Sequence, residues 1–412
     1  MKIMFMAQVY APEEVSGAVL VTELATDLVR RGHEVTVVTC APNYPYGRVY
    51  SGYRNRLYQE ERLDGVRVVR TWSYISSQKS FWRRIFTYGS YSATAFYGGL
   101  TADKPDVLVN YSPPLPLGLS AWLLSRNLWR IPWVLQIEDL HPGAAVAAGV
   151  LRNRHAITFF SAMERFLYKR ATHVSLISES FRRDLLRKGV PSEKITLIPV
   201  WADPDIVKPL PKENAFRDQH GLNRQFVVMY AGTLGHTSAL EEVLDAAEIL
   251  RSEAGIRFLI VGEGIKKTEL ENVARNKGLE NAVFLPFQPR ETFAEMMAAA
   301  DVSLVTLSRN SSETSLPHKI FNIMASARPI LAVASRESEI AQLVEAAKCG
   351  FITPPGHPES LAETIINMRK QVGLLREMGQ NGRTELQAKF TRECCVDMYE
   401  QMLLHLCNKE HN

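Results

Sequence analysis

The run Glu313-Thr314-Ser315-Leu316-Pro317-His318-Lys319-Ile320-Phe321-Asn322-Ile323-Met324-Ala325 gathers residue types that can hold an anion, and Ser326-Ala327-Arg328-Pro329-Ile330-Leu331-Ala332 follows it. The pattern predicts a polar loop, a helix opened by proline, then a short buried strand. Pro317 suits a first helical turn, where its missing N–H would have gone unpaired anyway. Ser315 can cap that turn, leaving backbone N–H groups and the positive helix end toward the loop. Lys319, one turn in, adds a full positive charge. A phosphate-bearing ligand is the natural guest; an ordinary capped helix with a solvated lysine is the plainer reading of the same residues. A second cluster, Gln136-Ile137-Glu138-Asp139-Leu140-His141-Pro142, follows an apolar strand and sets three ionisable groups close together.

The elements that must position these groups alternate along the chain. Lys2–Ala7 reads as a strand, Ala18–Arg31 as an amphipathic helix and Glu34–Thr39 as a strand. Val66–Arg70, Val107–Asn110, Trp133–Gln136 and Val174–Ile177 add further short apolar strands. Ile198-Pro199-Val200-Trp201-Ala202-Asp203-Pro204 is extended and punctuated by proline, as a linker would be. The alternation then restarts with strands Phe226–Tyr230, Arg257–Val261, Val283–Leu285, Val302–Val305, Ile330–Val333 and Gly350–Ile352, and with helices Leu240–Arg251 and Lys266–Lys277. Two successive alternations imply an α/β protein of two Rossmann-like domains, each a parallel sheet covered by helices. Ligands of such sheets bind at the carboxyl ends of the strands, so a cleft between the domains is the expected active site.

Composition agrees. A chain of 412 residues, 46% hydrophobic, suits two domains of roughly 200 residues each. A net charge of +4 without a long basic run gives no reason to expect nucleic acid. The five cysteines lack metal-type spacing, and reduced thiols in a cytoplasmic protein are the simplest account. The apolar start stops at Gln8, too short for a signal peptide or a membrane span.

Several segments resemble retaining glycosyltransferases of family four, which have the GT-B fold. Arg31-Gly32-His33-Glu34-Val35-Thr36-Val37-Val38-Thr39 is similar to their first helix–strand junction, and Ile198–Asp203 to their interdomain hinge. Tyr230-Ala231-Gly232-Thr233-Leu234-Gly235 resembles the first strand and turn of their second domain, and Val261-Gly262-Glu263-Gly264 the next glycine turn. Pro317-His318-Lys319 through Pro329 resembles the donor-phosphate segment, and Gly350–Ala362 closes the pattern. Look-alikes build O-antigen, capsule or colanic-acid repeat units; their donor segment reads Pro-Ser-Lys or Pro-Asn-Lys where this chain has Pro317-His318-Lys319.

The resemblance implies roles residue by residue. Residues 1–200 would bind the acceptor, with the helix at 393–407 packing back on them, and residues 205–390 would bind the nucleotide sugar. Ser16 and Gly17 match a small-residue loop near the donor diphosphate, although a glycine needed only for the turn fits equally well. Asp139 first and Glu138 second would act at the reacting sugar, holding hydroxyls, stabilising positive charge at the anomeric carbon or shuttling a proton. Gly232, Thr233, Gly235, Glu263, Ser315, Leu316, Pro317, Lys319 and Asn322 would line the donor. Two departures stand out. The arginine and lysine that commonly follow the glycine turn are replaced by Thr233 and His236-Thr237-Ser238, leaving Lys319 and hydroxyls to meet the diphosphate. The family's Glu-x7-Glu pair falls on Thr314 and Asn322, with Glu313 beside the first, so the route to retention stays open.

Asp203-Pro204-Asp205 imitates a metal motif but lies in the hinge; no cofactor and metal-independent transfer are expected. Gly262-Glu263-Gly264 lacks the third glycine of a dinucleotide site. The stretch 79–97 (Phe81, Trp82, Arg83, Arg84, Phe86, Tyr88, Tyr91, Phe96 and Tyr97 among it) mixes rings with basic side chains, as a helix in the headgroup layer would, or equally a first-domain helix with core aromatics and solvated charges; Arg126, Trp129, Arg130 and Trp133 read as a second such set. The expected activity is sugar transfer, with retention, from a nucleotide sugar of UDP-N-acetylhexosamine type to a lipid-linked acceptor, at the cytoplasmic membrane face. GDP-mannose remains open as donor, and a nucleotide-sugar epimerase or an inactive sugar-nucleotide-binding subunit remain open as alternatives.

Overall fold

The computed structural model describes residues 1–78, 81–147, 149–236, 238–307 and 317–410. They divide into two units, Met1–Pro199 with Glu393–Asn412, and Val200–Arg392.

The first unit is built on eight strands: β1 (Lys2–Met6), β2 (Glu34–Cys40), β3 (Tyr58–Leu63), β4 (Val66–Thr71), β5 (Val107–Ser112), β6 (Trp133–Ile137), β7 (His173–Leu176) and β8 (Ile195–Leu197). Their order is β3-β4-β2-β1-β5-β6-β7-β8. All pairs are parallel except β3 on β4. β5 and β6 are buried at every position, the pattern of strands covered on both faces. β3, with sequence Tyr-Gln-Glu-Glu-Arg-Leu, carries no apolar alternation and escapes sequence reading; an edge strand with one sheet neighbour tolerates such charge. Helix Ser16–Arg30 follows β1 and buries Ala18, Leu20, Val21, Leu24, Ala25 and Leu28. The final helix, Arg392–Glu410, belongs to this unit from Glu393 onward. It is held by Arg31 to Asp397 at 2.6 Å and to Glu400 at 2.7 Å, and by His33 to Glu400 at 2.6 Å.

The second unit has six strands: β9 (Phe226–Ala231), β10 (Ile256–Val261), β11 (Ala282–Leu285), β12 (Val302–Thr306), β13 (Ile330–Val333) and β14 (Gly350–Thr353). The order β11-β10-β9-β12-β13-β14 is parallel throughout. Counted from its own first strand this is 3-2-1-4-5-6, the doubly wound order whose ligand crevice opens where the winding reverses. The reversal falls between β9 and β12. The loop after β9 carries Gly232.

Helix Lys319–Ala325 starts later than the sequence predicts. Pro317 precedes it, and the Ile320 N–H donates to the Pro317 carbonyl at 3.1 Å in the turn that leads in. Lys319 is therefore the first helical residue, and no side chain caps the end among the described residues. Glu313, Thr314, Ser315 and Leu316 lie outside those residues, as does Thr237. The helix is anchored by buried Ile320, Phe321, Ile323 and Met324.

The stretch read as membrane-facing divides by helical phase. In helix Phe81–Thr101, Trp82, Phe86, Tyr97 and Leu100 are exposed. Tyr91 belongs instead to the core, its hydroxyl 2.9 Å from the carbonyl oxygens of both Ala7 and Val38. Trp133 is also core: it is fully buried in β6, and its Nε1–H donates to Asn110 Oδ1 at 2.6 Å. The second basic–aromatic set thus loses one of its rings. Lys79 and Ser80 lie outside the described residues. Among the described residues no helix is long and apolar enough to cross a membrane.

Candidate functional site

In the second unit the loop after β9 stacks back to back on the loop after β10. The Leu234 N–H donates to Glu263 O at 2.9 Å, and the Lys266 N–H returns to Leu234 O at 3.0 Å. Glycine is required where the two backbones meet. Gly232 and Gly262 have φ of 150° and 153°, a region L side chains rarely adopt. A Cβ at Gly262 would also run into the Gly232 carbonyl oxygen.

Lys319 lies over this loop. Its Nζ would come within 2.8 Å of a Cβ at Gly232, and it sits 3.6 Å from the centroid of the Tyr230 ring. The Tyr230 hydroxyl donates to Thr233 O at 2.9 Å, so the same ring holds the loop and supports the ammonium. Burial pulls the Lys319 amine down to about 7. Among the described residues no carboxylate pairs with it. A cation held on a ring face, partly stripped of water and set above glycine backbone, has unspent capacity for an anion.

Of the residues singled out from the sequence, Gly232, Thr233 and Lys319 are thus gathered at one place. Gly235 lies on the same loop, where Ser238 Oγ donates to its carbonyl at 2.7 Å. Asn322 is one turn into the Lys319 helix. Glu263 is exposed and ion-paired to Lys267 at 2.6 Å, so its carboxylate is already engaged. Sequence reading missed Tyr230; an aromatic two residues before the loop glycine, at the end of a buried strand, was the available signal.

In the first unit the carboxyl edge of the sheet carries the other groups. Helix Ser16–Arg30 begins at Ser16 without a side-chain cap. Gly17 does not have positive φ, and a Cβ there would meet only Val9 at an ordinary 3.7 Å. The turn therefore does not need glycine. The preceding loop is pinned by Glu13, whose buried carboxylate accepts from the N–H groups of Tyr10 (3.1 Å), Asn43 (2.8 Å) and Tyr44 (2.7 Å). Two strand spacings away, about 10 Å, β6 ends at Glu138 and Asp139.

Glu138 is half-buried and accepts from Gln136 Nε2 at 3.2 Å. Burial pushes its carboxyl up to about 7, opposed by the Gln136 bond and assisted by the Asp139 charge. Asp139 is exposed, yet partial desolvation at the strand end raises its carboxyl to about 6. His141 is pushed down to about 4, first by burial and then by the Arg84 guanidinium. Tyr88, one helical turn beyond Arg84, is raised by burial and by the Asp139 charge. Arg84, read from the sequence as lipid-facing, therefore acts electrostatically on His141, and Tyr88 lies within the field of Asp139.

Asp203 turns out to be structural: its carboxylate accepts from the Asp205 N–H at 2.9 Å and faces Arg392 at 3.8 Å. Among the described residues no three His, Cys, Asp or Glu side chains are gathered to hold a metal.

Two Rossmann-like sheets of this kind are the architecture of GT-B proteins, and the family models say which of them this chain resembles. Residues 17–201 match the model of the glycosyl transferase 4-like domain, and residues 212–385 that of glycosyl transferases group 1. The chain belongs to this glycosyltransferase family. It is 29% identical over 390 residues to the putative colanic acid biosynthesis glycosyl transferase WcaI of Escherichia coli K12, covering 90% of this chain and 92% of that one. It is 28% identical over 269 residues to the probable glycosyltransferase WbjE of Pseudomonas aeruginosa, covering 64% and 66%. The fold matches sucrose-phosphate synthase of Thermosynechococcus elongatus (TM-score 0.76, 18% identity, 98% and 99% coverage). It also matches Anabaena HepE solved with UDP (TM-score 0.70, 17% identity, 98% and 100% coverage).

Proposed function

We propose that this enzyme transfers a sugar, with retention, from a UDP-linked donor of N-acetylhexosamine type to a hydroxyl of a lipid-linked acceptor during assembly of a surface polysaccharide. The observation that carries the reading is Lys319 held over Gly232 and the Tyr230 ring, a cation without a carboxylate partner among the described residues. The similarity to WcaI, a putative colanic acid biosynthesis glycosyl transferase, and to HepE, solved in complex with UDP, supports the same reading.

In this reading residues 205–390 bind the nucleotide sugar. Lys319, backbone N–H groups of the Gly232–Gly235 loop and the Thr233 hydroxyl meet the diphosphate, and Asn322 offers hydrogen bonds to the ribose. These groups take the place of a metal ion in offsetting the leaving group's charge. Residues 1–200 bind the acceptor. Asp139, ionised above about pH 6, is placed to accept a proton or to stabilise positive charge at the sugar carbon. Gly17, dispensable for the turn, leaves room for a phosphate to approach backbone. Ser16 stands beside it. The exposed stripe Trp82, Phe86, Tyr97 and Leu100, with Arg83 alongside, rests in the headgroup layer at the cytoplasmic face. The test is transfer of radiolabelled sugar from UDP- and GDP-linked donors to a membrane lipid extract, comparing wild type with Asp139→Ala and Lys319→Ala of intact fold. Loss of transfer in both variants supports the reading, and unchanged transfer in both overturns it.

A further inference from the structure

The chain leaves the first unit after Pro199 and returns to it at Glu393. On the second unit's side, both crossings are tied to the short helix that begins with Lys319. The outgoing crossing is held at one end of that helix by His318, whose Nε2 lies 2.7 Å from the Trp201 carbonyl oxygen. A carbonyl only accepts, so Nε2 carries the hydrogen. Burial pulls the imidazole below its ordinary range and keeps it neutral. At the helix's other end Arg383 donates to Ala325 O at 2.5 Å and reaches Pro204 O at 3.4 Å and Val207 O at 3.5 Å. The returning crossing pairs with the outgoing one through the Ala202 N–H to Phe390 O, 3.2 Å. The Phe390 ring in turn packs on Phe321 with centroids 4.9 Å apart.

We propose that His318 is a positioning residue. It joins the Lys319 end of the helix to the outgoing crossing, so that a nucleotide diphosphate held at Lys319 stiffens the segment 201–207. The inference rests on the donor reading of Lys319 given above. Its physical basis is adjacency: the residue that meets the phosphate and the residue that grips Trp201 are neighbours in the chain. Fixing the Lys319 backbone fixes the imidazole, and the imidazole fixes the Trp201 carbonyl. A small or short side chain at position 318 could not reach across.

Hydrogen–deuterium exchange on the full chain, with and without saturating UDP and in parallel GDP, reads this directly. The amides of Ala202, Asp205 and Val207 are bonded to Phe390 O, Asp203 Oδ1 and Asp203 O, and report on the segment. In wild type, nucleotide slows exchange both at residues 230–236 and at 201–207. In His318→Leu, protection at 230–236 persists while the response at 201–207 is lost, and ligand-free exchange there is about fivefold faster. His318→Gln, whose amide nitrogen can occupy the Nε2 position, restores the response; His318→Asn, one bond shorter, does not. Should His318→Leu fail to fold, the Gln and Asn pair carries the test. Equal responses at 201–207 in wild type and the Leu or Asn variant overturn the coupling, as does protection at 230–236 alone in wild type. A wild type unprotected at 230–236 by either nucleotide overturns the donor reading itself, and the coupling with it.

Discussion

The Lys319 ammonium nitrogen stands 3.6 Å from the centroid of the Tyr230 ring, and that ring's hydroxyl donates to the Thr233 carbonyl. One aromatic side chain thereby fixes both the cation and the glycine loop beneath it. The arrangement is costly to the folded chain and useful to a ligand, because a half-buried ammonium with no carboxylate partner among the described residues gains most when an anion arrives.

Lys319→Met should therefore abolish nucleotide binding while making the protein more stable. The amine's pKa falls from 10.5 to about 7 on folding. Between these values the unfolded state binds the proton more tightly, so stability rises with pH through that window and the penalty is fully present below it. Replacement by an apolar chain of similar length should add on the order of 2 kcal/mol at pH 7. Urea denaturation of both proteins checks this; a less stable variant would contradict it.

The same amine makes nucleotide binding pH-dependent. A bound diphosphate favours the charged form and raises the pKa. Binding at pH 8 should then take up a proton, and affinity should weaken as pH rises above about 7. Calorimetry at pH 8 in two buffers of different ionisation enthalpy will show the uptake as a difference in apparent heat. Identical heats would mean that Lys319 is fully charged before the ligand binds.

At the other strand end, the folded protein holds the Glu138 proton more tightly than the unfolded chain between pH 4.5 and about 7. Stability should fall as pH rises through that window and level off above it. Glu138→Gln, which still accepts from Gln136, should remove the slope and gain about 2 kcal/mol at pH 8. Denaturation midpoints at pH 5 and pH 8 decide the matter. Asp139→Asn should lower transfer by at least about a hundredfold, and wild-type transfer should rise with pH through about 6 as Asp139 ionises.

Gly17 and Gly262 should behave oppositely. Gly17→Ala fits its helix without a clash and should raise stability by about 0.5–1 kcal/mol, yet reduce transfer if a phosphate approaches there. Gly262→Ala drives a methyl into the Gly232 carbonyl at positive φ and should cost more than about 3 kcal/mol. Melting curves and transfer rates on the two variants separate a ligand-facing glycine from a folding one.

Much of this was legible in the sequence, and what was not has physical reasons. The inner strands of the second sheet announce themselves because strands buried on both faces must be apolar, as in Ile330–Val333, and the partly buried edge strands Ala282–Leu285 and Gly350–Thr353 are short apolar runs as well. The edge strand Tyr58–Leu63 does not, because one open side lets it carry Glu60, Glu61 and Arg62. Lys319 and Gly232 are visible as motif residues, but Tyr230 and His318 act through contacts to Lys319 Nζ and the Trp201 carbonyl, and sequence spacing does not encode such contacts. The ring-rich helix Phe81–Thr101 cannot be divided from composition for a similar reason. Composition shows its aromatics, while only the helical phase separates buried Tyr91 from exposed Trp82 and Phe86.

A nucleotide-sugar site at Lys319 and Gly232 would show in the melting temperature of wild type and Lys319→Met with UDP, GDP, ADP and their common sugars. Binding to the folded state alone raises the melting temperature by mass action. A clear rise with one nucleotide class is expected in wild type and none in Lys319→Met. An equal rise in both proteins would place the nucleotide elsewhere and contradict it.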